Sequence, residues 1–195
     1  MDTNETMTEQ QGFDIIQRMI NSAKQDLGDK SFYYLWWGWL VFIASVCQFV
    51  LIQLNYNNSG MVWLLMPLGA IVSGIYSSRE RKKERVKTYF DEFNKNVLVA
   101  FLVSLFIVLI FMWKLQLNCY PMVMMIYGVW LYISGGALRF KPIMWGGVIN
   151  WLLAVAAFFF DFKIQLLLLA AAVLFGYIIP GYMLKVRYQN SLHTN

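Results

Sequence analysis

The chain has 195 residues; 59% are hydrophobic and only 14% are charged. Ordinary soluble domains carry about 25% charge, so this composition argues against a soluble globular domain with a polar skin. The formal net charge is +5, but the cations lie in short clusters beside apolar runs, which points to membrane topology rather than to nucleic acid.

The N-terminal residues MDTNETMTEQ are polar and acidic. They lack the basic stretch and apolar core of a cleavable signal peptide. From Phe13 the apolar residues Phe13, Ile16, Ile20, Ala23 and Leu27 recur at steps of three and four, which predicts an amphipathic helix with Gly28 as its stop. Such a helix lies on a membrane surface or the inner mouth of a bundle, or pairs with a partner helix, since two heptads fit the spacing. Residues 1–30 are thus a predicted cytoplasmic segment.

Six apolar runs follow, at 33–54, 61–76, 97–113, 121–138, 143–160 and 164–184. The first reaches roughly 33 Å as a helix, enough to cross a hydrocarbon core. It opens with YYLWWGW, an aromatic belt of the kind that sits at headgroup level. The predicted fold is all-α: a polytopic membrane protein of six transmembrane helices in three hairpins, with a membrane domain over 31–187 and a tail over 188–195. Fourteen of the sixteen Lys and Arg fall on one side of this threading, and Lys114 and Lys163 fall on the other. Positive charge marks the cytoplasmic side, so both termini are predicted to be cytoplasmic. The densest cluster, SSRERKKERVK, holds Arg79, Arg81, Lys82, Lys83, Arg85 and Lys87. It orients the chain and is also a candidate contact for anionic lipid or a protein partner.

Charged residues inside a span mark ion paths and active sites, and these six runs contain none. No metal-spaced cluster, phosphate loop or paired catalytic carboxylates is present either. The expectation is a non-enzymatic protein without cofactor or metal, whose partners are the bilayer and a cytoplasmic or membrane protein. Oligomeric state is not set by the sequence. Cys47 lies in an apolar run and Cys119 in a predicted short loop, too few thiols for a zinc site or disulfide framework.

Neutral polar residues remain within the runs. Gln48, Tyr127, Ser134, Asn150 and Tyr177 are the candidate lining of a small polar cavity, which would suit a carrier or channel for a small neutral or apolar solute. The alternative is that the amides glue helices together. Pro67 and Pro180, with Gly69 and Gly181 nearby, are candidate hinges. GAIVSGIYSSR at Gly69 echoes GYIIPGYMLK at Gly176, and WWGWL at Trp36 echoes MWGGV at Met144. These echoes fit either a duplicated hairpin or the common use of glycine where helices approach in lipid.

The run FYYLWWGWLVFIASV after a short amphipathic helix, six spans, and the GYIIPGYMLK ending together resemble an uncharacterised family of small six-helix bacterial inner-membrane proteins. The resemblance implies a bacterial inner-membrane location and brings no activity, cofactor or site residue with it.

Overall fold

The computed structural model describes the backbone of residues 9–80 and 89–193, and the side-chain surroundings of 31–77 and 95–190. The chain is 91% helix, and within these residues it contains no strand. Helix α1 runs unbroken over Glu9–Gln53. A 3-10 turn, Ser59–Leu64, leads into α2 at Leu65–Glu80. Helix α3 covers Tyr89–Ile110. A short α4 at Met112–Leu115 and a 3-10 turn then lead into α5 at Cys119–Ala137. Helix α6 is Lys141–Ala157. Helix α7, Phe162–Val173, continues through a π turn at Leu174–Ile178 into α8, Ile179–His193.

These segments form six rods, and four stretches are long and apolar enough to cross a membrane: Ser31–Gln53, Ser59–Ser77, Met112–Ala137 and Phe162–Asn190. The apolar helices Lys95–Ile110 and Lys141–Ala157 are shorter.

Several predicted boundaries move. Gly28 does not stop the first helix; α1 passes through it and joins the N-terminal segment to the first rod. One glycine costs a helix only about 1 kcal/mol, which the flanking helical turns absorb. The side chains that would make this segment amphipathic lie outside the described residues. Arg79 belongs to the last turn of α2 rather than to a loop. Arg81, Lys82, Lys83, Arg85 and Lys87 lie outside the described residues. The predicted tail over 188–195 is helical to His193. Cys119 does not lie in an open loop; it starts α5 and is 5% exposed, whereas Cys47 is exposed on α1.

Two helix ends show how the turns are closed. Tyr56 N–H bonds Leu51 C=O and Asn55 N–H bonds Ile52 C=O, with Asn55 at φ 55°. Phe140 N–H bonds Gly135 C=O and Arg139 N–H bonds Gly136 C=O, with Arg139 at φ 49°. Both are Schellman closures, in which a left-handed residue lets the chain satisfy the last carbonyls. Asparagine suits that conformation; arginine adopts it under strain.

The core is built from α1, α5, α6 and the α7–α8 rod. Met124, Leu131, Ile143, Leu166, Leu169 and Leu184 are fully buried there. Glycines set the closest approaches. A Cβ on Gly147 would lie 2.8 Å from the Gly128 carbonyl oxygen, and one on Gly146 would lie 2.8 Å from the Gly176 Cα. Both values are below any real Cβ contact, so α6 touches α5 and the π turn backbone to backbone, as small residues permit in lipid. Gly38 packs instead against Tyr177 and Ile178 of the last rod, and Gly69 against Leu40 and Trp36. The echoing motifs therefore occupy different packing positions. Helices α2 and α3 are peripheral: α2 rests on α1, and α3 on α5. Their outer faces carry exposed Leu68, Ile71, Ile75, Val103, Phe106 and Ile110.

Candidate functional site: polar clusters and the basic rim

The candidate polar residues fall into three separate places. Near one end of the bundle, Gln48 Oε1 accepts from Trp63 Nε1–H at 2.6 Å and from the Tyr120 hydroxyl at 2.8 Å. One amide oxygen thus joins α1, the lead-in to α2 and the start of α5. Trp63 and Tyr120 also pack ring to ring at 5.9 Å, and Tyr120 lies 5.2 Å from Phe162 at the start of α7.

In mid-bundle, Asn150 is fully buried. Its Nδ2 donates to Gly146 C=O at 2.9 Å on its own helix and to Ala172 C=O at 3.0 Å on α7. The π turn begins two residues later, where Ile179 N–H reaches back five residues to Leu174 C=O. A side chain inserted at a helix ladder and a π turn are both recognised sources of a helix kink. Pro180, which has no N–H to offer Gly176 C=O, sits just after it. The irregularity that the sequence placed at Pro180 is thus a π turn centred on Gly176. Pro67 lies in the first turn of α2, just after the 3-10 lead-in, where a missing N–H leaves no interior bond unmade.

Toward the opposite end, the Tyr34 hydroxyl donates to Ser134 Oγ at 2.7 Å, and the Ser134 hydroxyl in turn donates to Trp130 C=O at 2.6 Å. Tyr34 lies 5.9 Å from Tyr177, and Tyr177 lies 5.6 Å from Tyr127. Phe101 of α3 extends the cluster to Tyr127 and Trp130. Ser134, Tyr127 and Tyr177 are therefore brought together, through Tyr34. Gln48 is not among them: fourteen residues along α1 from Tyr34, it lies roughly 21 Å away. Each group holds neighbouring helices by hydrogen bonds or ring contacts. Such bonds contribute about 0.6 kcal/mol each in lipid, and ring pairs about 0.5–1.5 kcal/mol.

Gln165, passed over within an apolar run, is 1% exposed. Its Nε2 donates to Ala157 C=O at the end of α6 and to Phe160 C=O in the turn that follows. A lone amide in KIQLLLL was the available signal. Asn150 Oδ1 and Gln165 Oε1 are buried acceptors without a protein partner.

These contacts also define two rims. The Gln48–Tyr120–Phe162 group gathers the ends of α1, the lead-in to α2, and the starts of α5 and α7 at one rim. At the other rim the Arg187 guanidinium lies 5.6 Å from the Phe140 ring, which joins the end of α8 to the α5–α6 turn. Lys95, Arg139, Lys141, Lys185 and Arg187 belong to this basic rim, and Lys114 and Lys163 to the opposite one.

A cleft of about 300 Å3 opens at the basic rim, lined by Ser31, Phe32, Leu35, Tyr76, Lys185, Tyr188 and Gln189. Phe32 stacks on Tyr76 at 4.4 Å, which fixes the end of α2 against α1. One wall is apolar and aromatic, and the other is polar, with Lys185 as the cation among the described residues. Among the described residues no acidic side chain lines it. The sequence named Phe32, Leu35 and Tyr76 only as parts of apolar or aromatic runs; their meeting with Lys185 required the fold. Among the described residues no group of His, Cys, Asp and Glu could hold a metal ion.

Compared with known protein families, curated proteins and solved structures, the chain matches none.

Proposed function

We propose that this chain is a non-enzymatic multi-pass protein of a bacterial inner membrane. It crosses the bilayer six times with both termini in the cytoplasm, and its basic rim engages the lipid surface or a protein partner. The observation that carries the reading is the sorting of cations between two rims whose members are joined by side-chain contacts. Positive charge collects on the cytoplasmic side of membrane proteins. Six crossings also fit the two shorter apolar helices. With its polar first turns α3 has 22 residues, and α6 has 17, against a need of about 17–25. Inside the bundle, Gln48, Ser134 and Asn150 are engaged in bonds between helices, which supports a scaffold rather than an open polar path.

The test is accessibility of single cysteines placed at Asn57 and Lys141 after both native thiols are changed to serine. An impermeant maleimide should label position 57 in intact cells and position 141 only after permeabilisation. The reverse pattern inverts the threading. Failure of the chain to float with liposomes removes the membrane reading altogether.

A second reading, a carrier for a small neutral solute, is favoured by one observation: the unpartnered acceptors Asn150 Oδ1 and Gln165 Oε1 are buried and could receive a donor. Solute flux into proteoliposomes that Asn150→Leu abolishes would move the assignment to that reading.

A further inference from the structure

We infer that the rim cleft binds the phosphate headgroup of an anionic glycerophospholipid, with Lys185 as its cation and the exposed stripe of α1 as the bed of an acyl chain. This rests on the membrane reading above and gives its basic rim a specific ligand.

Three features of the cleft converge on an amphiphile. First, its two walls differ in chemistry. Phe32, Leu35 and Tyr76 form an apolar wall, while Ser31, Lys185, Tyr188 and Gln189 supply an ammonium, hydroxyls and an amide. Among the described lining residues Lys185 is the charged group, its ammonium favours an anion, and the Gln189 amide can donate to phosphate oxygens. Second, the size is limiting. At about 300 Å3 the space is at the lower end for ligand pockets, enough for a headgroup but not for a whole lipid. The tails must therefore leave it.

Third, there is a route for them. Phe32, Leu35, Trp39 and Ile43 follow one another at steps of three, four and four, so they share one face of α1. Phe32 and Leu35 line the cleft, while Trp39 and Ile43 beyond it are 40% and 46% exposed. On one side of this stripe α8 closes in, with Gly181 against Leu35 and Tyr34. On the other side α2 closes in, with Gly69 against Leu40 and Trp36. The result is an apolar furrow floored by α1 that starts at the cation and runs away from the basic rim. A soluble phosphate ester would have use for the cation but not for the furrow.

The test uses the purified full chain in detergent and native mass spectrometry. It is titrated with phosphatidylglycerol and with phosphatidylcholine of the same acyl chains. Phosphatidylglycerol should bind more tightly, and Lys185→Gln should weaken it about fivefold, the value of one cation near an anionic surface. Lys185→Arg should retain binding, and Lys163→Gln at the other rim should leave it unchanged. Trp39→Ala should weaken the lipid without affecting glycerol 3-phosphate. Equal binding of the two lipids, or no effect of Lys185→Gln, overturns the site. Competition by glycerol 3-phosphate as strong as by the lipid overturns the lipid assignment and leaves a soluble phosphate ester. Because these titrations need no bilayer, they fail independently of the flotation and labelling experiments.

Discussion

The side-chain amide of Asn150 on α6 donates to the backbone carbonyl of Ala172 on α7 at 3.0 Å, and the helix widens into a π turn two residues beyond. Asn150→Ala removes that bond and the bond to Gly146. A loss of about 0.6–1.7 kcal/mol is expected, the range measured for polar contacts between membrane helices. Reversible unfolding in mixed micelles reads it. A loss near zero would mean that the Ala172 carbonyl finds another donor and that the amide does not hold the π turn.

Two glycines ten residues apart should respond in opposite directions. A Cβ on Gly146 meets the Gly176 backbone at 2.8 Å, whereas a Cβ on Gly136 meets nothing within 4 Å. Gly146→Ala forces two backbones apart and should destabilise by about 1–3 kcal/mol. Gly136→Ala lies in open space within α5 and should stabilise by about 0.5–1 kcal/mol through reduced chain entropy. Equal effects in the same assay would contradict the helix approach described above.

Gln48 accepts from both Trp63 and Tyr120, so the three side chains should act as a unit. Gln48→Leu leaves two donors unsatisfied and should destabilise by about 1–3 kcal/mol. Tyr120→Phe alone should remove less. The double variant should then be more stable than the sum of single losses predicts, by at least about 0.5 kcal/mol. Strict additivity in the double-mutant cycle would show that the shared oxygen does not couple them.

Arg139 closes α5 in a left-handed conformation that a side chain resists, with φ at 49°. Arg139→Gly should relieve that strain and raise stability by about 1 kcal/mol. A control, Lys141→Gly, removes one charge from the same rim without relieving backbone strain and should not stabilise. A gain in both variants would assign the effect to charge instead.

Length, apolar patterning and the placement of Lys and Arg were enough to read an all-helical chain built of apolar rods. Those properties are local: a run long enough to cross lipid must satisfy its own backbone, and only a helix or a closed barrel does that. The breaks were less legible. Gly28 reads as a stop yet lies inside a helix, while Arg139, which carries no stop signal, takes the left-handed turn. Where the chain turns back, the backbone bonds that close the helix end, here Phe140 N–H to Gly135 C=O, select the residue that goes left-handed. What only the tertiary structure decided was partnership. That Gln48 meets Tyr120, that Ser134 meets Tyr34, and that Lys185 meets Phe32 across a cleft depends on contacts between residues far apart in the chain. In a chain apolar on nearly every face, hydrophobic periodicity does not say which face meets which neighbour; glycine surfaces and buried amides choose that at close range.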